Sequence, residues 1–166
     1  AKLVMFKALW DADAPVSQVL PSLHAANAER YAGATIRSVC SEMHQFYKSR
    51  DIKGLQRQCF RAESFPEMAM LPQDAYRALV GNDVDYLPLD QCKGRIAATL
   101  ALIYPPGIGV VVPGERWDER ARPMLDYLHA FEESFNRFPG FNYEVQGVFQ
   151  EKVDGRIVFH SYVVRE

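Results

Sequence analysis

From Thr35 to Lys48 the apolar positions Ile36, Val39, Cys40, Met43, Phe46 and Tyr47 recur at three- and four-residue spacing. That period makes one stripe of a helix, and Thr35 is placed to cap it. A second short helix is predicted over Asp51 to Ala62, capped by Asp51, with Ile52, Leu55 and Phe60 turned inward. Pro72 suits a first helical turn, so a helix should run from there to Val80 and stop at Gly81-Asn82. Leu125, Leu128, Phe131 and Phe135 mark the core face of a longer helix from about Arg122 to Phe135. Asp118 can cap its entry, Glu119 suits the positive end of its dipole, and Pro139-Gly140 ends it.

Other segments carry the two-residue period or continuous apolar character of strands. Val84 to Leu89 reads as an edge strand, because Pro88 cannot donate to a central ladder. Arg95 to Ile103 is an apolar strand, and Ile108 to Val112, β-branched apart from Gly109, is a short buried one. The runs 143–149 and 156–164 flank Asp154-Gly155, a strong hairpin signal, and are expected to pair antiparallel. Together these elements predict an α+β domain, a small antiparallel or mixed sheet with flanking helices.

The first thirty-three residues differ. Leu3, Val4, Met5, Phe6, Ala8, Leu9 and Trp10 are apolar, with only Lys2 and Lys7 between them. A helix apolar nearly all round needs covering on most sides. Ala1 is therefore expected to be a cut point inside a longer chain, with this helix seeking a partner surface. Asp11 to Gly33 holds Pro15 and Pro21 and reads as a linker with short helical turns.

The most constrained stretch is Tyr104-Pro105-Pro106-Gly107, then Ile108 to Val112, then Pro113-Gly114-Glu115. The prolines fix φ and remove two donors, and the glycines allow backbone shapes closed to other residues. Such a corner suggests a turn made against something solid. Tyr104 and Glu115 can line the approach to an active site held by another domain. In structural terms, which weigh more, Tyr104 is an aromatic plug and Glu115 satisfies orphan backbone donors near the next helix.

Composition narrows the function. A net charge of −2 gives no electrostatic case for nucleic acid or an anionic membrane. No apolar run is long enough to cross a bilayer, and no secretory signal pattern is present. No nucleic-acid or membrane partner is expected. Cys40, Cys59 and Cys92 are widely spaced and odd in number, which predicts reduced, partly buried thiols in a cytoplasmic protein. His24, His44, His129 and His160 form no metal-ligand pattern, and His44 reads as solvated. Glu132 and Glu133 would point about 100° apart on a helix, so they read as a solvated face.

Ile96-Ala97-Ala98, Tyr104-Pro105-Pro106-Gly107 and Pro113-Gly114-Glu115 together resemble the C-terminal domain of bacterial ornithine/lysine/arginine decarboxylases, ornithine decarboxylases most of all. The likeness extends through Gln18-Val19-Leu20-Pro21-Ser22, Met43-His44-Gln45-Phe46-Tyr47-Lys48, Phe138-Pro139-Gly140-Phe141 and Glu144-Val145-Gln146-Gly147-Val148. The resemblance implies that residues 1–33 end a preceding small domain and linker, and that 34–166 form the C-terminal domain. It implies a parent enzyme dependent on pyridoxal 5'-phosphate, converting ornithine to putrescine and carbon dioxide. Upstream cofactor-binding and small domains would be its partners, in a homo-oligomer. Lysine or arginine decarboxylase, and a stand-alone interaction or regulatory domain of the same fold, are the alternatives. None of the six lysines follows a histidine, as the family's Ser-x-His-Lys pattern requires, and no glycine-rich phosphate loop opens a helix. The chain alone is expected to bind no cofactor and carry no catalytic residue. Tyr104, Pro105, Pro106, Gly107, Pro113, Gly114 and Glu115 remain as candidates for substrate approach or domain contact.

Overall fold

The computed structural model describes residues 2–104 and 107–166. The expectations for Pro105 and Pro106 lie outside the described residues. Two antiparallel three-stranded sheets are flanked by helices, which meets the expected α+β class. In the first sheet β6 (Arg156–Val164) lies between β1 (Val84–Pro88) and β5 (Phe149–Val153). In the second β2 (Ala101–Tyr104) lies between β3 (Ile108–Val111) and β4 (Glu144–Gln146).

The helix α8 (Arg122–Arg137) fills the main core with Leu125, Leu128, Phe131 and Phe135, as its spacing predicts. Phe135 meets the fully buried Phe159 of β6 edge-on, with ring centroids 5.2 Å apart. The short helix α7 (Leu89–Cys92) follows β1 directly and buries Leu89 and Cys92 in the same core. α6 (Pro72–Val80) covers a smaller core of Ala75, Val84, Ile96, Ala98 and Val164. It stops as predicted, although the left-handed residue is Asn82 at φ +59° and Gly81 stays right-handed.

α4 (Ile36–Ser49) begins with a reciprocal cap: Thr35 Oγ1 accepts from Ser38 N, and Ser38 Oγ accepts from Thr35 N. α5 (Ile52–Cys59) is capped by the Asp51 carboxylate, which accepts from Gly54 N at 3.2 Å. Phe60 is not turned inward as its spacing suggested. α5 ends at Cys59, which takes the buried position, and Phe60 is left exposed. The short helices α2 (Val16–Val19) and α3 (Pro21–Ala26) match the expected turns, Pro21 opening the second. They are docked rather than loose: Val16 and Tyr31 are fully buried with Val39, and Tyr31 Oη donates to Pro139 O at 2.9 Å. α1 (Lys2–Asp11) buries no residue, and Leu3 is 85% exposed. Arg37 holds its end, donating to the carbonyls of Trp10 and Asp11 at 2.7 and 2.6 Å.

Three strand expectations need correction. The run 143–149 is not one strand: β4 pairs with β2, and only from Phe149 does the chain pair with β6. Gly147 causes the division. Its φ is +72°, and a Cβ there would stand 1.6 Å from the Leu100 carbonyl oxygen. Thr99 and Ser161 hydroxyls both donate to its carbonyl at 3.1 Å. The Asp154-Gly155 turn is as predicted, with φ positive at both residues and Val153 facing Arg156. The segment 95–103 becomes a regular strand only at Ala101. Before that, Ile96 bridges to Arg116 and Ala97 to Val163, so this stretch is shared between partners. Ile108, predicted buried, is exposed, while Val110 and Val111 are core.

The acidic pair on α8 is not a solvated face either. Glu132 accepts the backbone N–H of Phe159, and Glu133 forms an ion pair with Arg50. A carboxylate that satisfies a buried strand donor stabilises the seam between helix and sheet.

Gly147→Ala should cost on the order of 3 kcal/mol, because left-handed strain and backbone overlap combine. Gly155→Ala, at φ +81° with nothing within 4 Å of the new atom, should cost nearer 1 kcal/mol. Urea unfolding of both variants checks the order.

Candidate functional site

Three chain segments converge on Gly114. Its N–H donates to Ala97 O at 2.8 Å, and its own carbonyl accepts from Ala69 N and Met70 N at 3.0 and 3.1 Å. Gly114 has φ +91°, and a Cβ would lie 2.2 Å from Met70 O. Only glycine lets the 67–71 segment approach so closely. The contact continues outward: Ala97 N donates to Glu115 O at 2.8 Å, Arg116 N to Glu67 O at 2.9 Å and Trp117 N to Arg95 O at 2.9 Å.

Glu115 closes the turn after β3. Its carboxylate accepts from Val112 N at 2.8 Å, while its N–H donates back to Val112 O at 3.1 Å. The expected role of Glu115, satisfying a backbone donor, therefore holds, but the donor is behind it rather than in the next helix. Burial raises its pKa and the Asp118 charge adds to this, against the Val112 hydrogen bond. Asp118 caps the 3₁₀ turn Glu119–Ala121 that leads into α8, rather than α8 itself, accepting from Arg120 N at 2.9 Å and Ala121 N at 3.2 Å. It also accepts from Glu67 N at 3.1 Å. Burial pushes the Asp118 carboxyl up, but these N–H groups and Arg120 outweigh it and hold it below the usual range.

The other end of the corner faces outward. Tyr104 is half exposed, so it is no plug. Gly107 has φ +81°, and a Cβ there would press on the Tyr104 ring at 2.9 Å. The structure thus brings Gly114 and Glu115 onto the 67–71 segment, with Pro113 half-buried beside them, and leaves Tyr104 and Gly107 together at the opposite end. Exposed apolar side chains stand at both ends, Tyr104 and Ile108 at one, Met68 and Leu71 at the other.

Two features escaped the sequence reading. Trp117, two residues past Glu115, is fully buried, and its indole N–H has no hydrogen-bond partner among the described residues. A tryptophan two residues beyond the constrained stretch was the available signal. The outer face of the first sheet carries Tyr86, Phe149, His160 and Tyr162, with Tyr86 and Tyr162 rings 4.8 Å apart. Their alternate spacing was visible, but the displaced hairpin register hid the cluster.

The fold and corner define an α+β domain whose special residues are invested in close backbone approach. The chain belongs to the family described as Orn/Lys/Arg decarboxylase, C-terminal domain, which matches residues 53–165. It is 46% identical over 165 residues to the inducible ornithine decarboxylase of Escherichia coli (strain K12), a match covering 99% of this chain and 22% of that protein. It is 39% identical over 157 residues to lysine decarboxylase LdcA of Pseudomonas aeruginosa, covering 93% of this chain and 20% of that protein. Among solved structures, lysine decarboxylase A from Pseudomonas aeruginosa superimposes with a TM-score of 0.88 at 34% identity, over 98% of this chain and 22% of the other. The chain thus spans about a fifth of the length of these relatives.

Glu115→Gln should keep the Val112 hydrogen bond and remove a charge that burial disfavours. A raised folded pKa means the ionised form is the less stable one, so this variant should match or exceed the wild-type melting temperature above neutral pH. Glu115→Leu lacks an acceptor and should lose about 1–3 kcal/mol. Thermal melts near pH 8 separate the two outcomes.

Proposed function

We propose that this chain is the C-terminal part of a pyridoxal-phosphate-dependent carboxy-lyase converting ornithine to putrescine and carbon dioxide. In this reading residues 1–33 end a preceding domain and linker, and 34–166 form the terminal domain of a cytoplasmic homo-oligomer. The observation that carries the substrate is the ordering of relatives. Ornithine decarboxylases of Escherichia coli and Haemophilus influenzae are 46% and 42% identical, against 39% for lysine decarboxylase LdcA of Pseudomonas aeruginosa and 29% for the constitutive lysine decarboxylase of Escherichia coli.

Pyridoxal phosphate, when bound, supplies the electron sink for loss of the carboxylate. The residues of this chain do not fit that group. A Schiff-base lysine works desolvated, in a closed pocket, whereas Lys2, Lys7, Lys48, Lys53, Lys93 and Lys152 are all exposed. The cofactor is therefore assigned to the upstream part of the parent, and the role of this domain is to shape and support. Tyr104, Pro105, Pro106 and Gly107 at one end of the corner, with Pro113, Gly114 and Glu115 at the other, are the proposed substrate-approach or domain-contact residues. The exposed apolar side chains around them support contact with another part of the parent. α1 supports the same reading, since a helix with an uncovered apolar surface associates with whatever can cover it.

In the full-length parent, Gly107→Val should strain the corner by about 1–3 kcal/mol and press on Tyr104. A displacement of about 1 Å near a catalytic centre can cost a hundredfold in rate. Ornithine turnover or assembly should fall while cofactor absorbance is kept. Wild-type values for turnover, absorbance and oligomer size together would remove the corner from the function. Lysine turning over faster than ornithine in the wild-type enzyme would overturn the substrate.

The isolated chain should self-associate through α1, and Leu3→Glu with Met5→Glu should weaken this. A monomer by light scattering at all concentrations would count against the helix as a contact surface.

A further inference from the structure

One charged cluster away from the corner spans three elements. His129 stands on α8 with its Nε2 3.2 Å from the Asp90 carboxylate of α7. Its Nδ1 lies 3.8 Å from one oxygen of Glu132. The other oxygen of Glu132 accepts the N–H of Phe159 in β6. One turn further, Asn136 donates to Ile157 O and accepts from Ile157 N, both at 2.7 Å. A continuous line of polar contacts therefore runs from α7 through His129 and Glu132 to the buried strand.

Three carboxylates face the imidazole: Asp90 from α7, and Glu132 and Asp126 from its own helix. Across a shared cavity of about 340 Å³ lie Arg50 and Glu133, which neutralise each other as an ion pair. No unpaired cation among the groups lining this cavity opposes a charge on the ring.

We propose that His129 is a proton-operated latch: the protonated ring holds Asp90 and Glu132 together, fastening α7 and α8 to β6, and its deprotonation loosens that seam. The inference concerns the domain's own architecture and stands whichever amino acid the parent decarboxylates.

The electrostatics agree in sign. Glu132 beside it raises the His129 pKa above the ordinary histidine value; burial opposes this, and Asp90 and Asp126 add to it. Asp90 lies nearer but its side chain is 88% exposed and screened by water, whereas that of Glu132 is 22% exposed. A folded pKa above the unfolded value of about 6.5 makes the latch fully effective below that pH, and it is lost as pH rises through the folded value. The lower limit comes near pH 4, where the carboxylates themselves take up protons.

The test uses this 166-residue chain as wild type, H129Q and D90N. Asp90 is on the surface, so D90N removes one arm of the latch without disturbing the core. The wild-type melting temperature should exceed that of H129Q by about 2–4 °C near pH 6, and the gap should close toward pH 9. The His129 ring, followed by NMR, should titrate above about 6.5 in the wild type and lower in D90N. A melting-temperature gap that does not change with pH overturns the latch, as does a ring titrating at or below the ordinary value.

Discussion

The approach of the 67–71 segment to the backbone at Gly114 is the constraint on which the rest of the domain depends. At that point Ala97, Gly114 and Met70 belong to three separated parts of the chain and meet through main-chain hydrogen bonds alone. Backbone groups buried this closely must pair with one another, because water is excluded. A side chain would hold the segments apart by more than a hydrogen bond can span. The contact therefore selects glycine, and the glycine fixes where β3 ends and where the entry to α8 begins. Everything on either side is placed by it: Glu115 closes the strand behind, Asp118 caps the turn ahead, and Trp117 is driven into the core between them.

That arrangement also ties the two sheets together. Residues 96–98 hydrogen-bond to β6 on one side and to the post-corner segment on the other. They then continue directly into β2 of the second sheet. A displacement at the corner is transmitted to both ladders. Close-packed interiors pass strain on rather than absorbing it. A domain built this way suits a role in which a neighbouring surface must be held at a fixed distance.

How much of this was legible in the sequence followed from how local the cause was. α4, α6 and α8 were readable because their signals are local: the apolar stripes of α4 and α8, the Thr35 cap of α4 and Pro72 in the first turn of α6. The Asp154-Gly155 turn was readable for the same reason. What failed was non-local. The 143–149 run looks like one strand until Gly147 is seen to sit against Leu100, nearly fifty residues away. Glu132 looked solvated because its partner, the Phe159 N–H, is on a strand that only folding brings near. For the corner, the residue types announced a close approach but not the approaching segment. The 67–71 stretch carries no signal beyond the prolines that bracket it, Pro66 and Pro72.

The contrast between α1 and the rest of the chain bears on function more directly than any single side chain does. Burial of apolar surface is the dominant favourable contribution to folding. Yet α1 contributes none of its residues to any core and is attached mainly through Arg37 to its last carbonyls. By contrast, the still shorter α2 and α3 are tied in by Val16 and by the segment carrying Tyr31. Nothing in helix propensity accounts for seven apolar residues kept on an uncovered helix. Their composition is explained once a second surface lies over them. The same reasoning applies to Tyr104 and Ile108 at the outward end of the corner, two large apolar side chains left half exposed. Apolar surface left exposed there adds nothing to the domain's own stability. It has a use if the corner must meet another body in one fixed geometry, which is the property the proposed role in a larger decarboxylase requires.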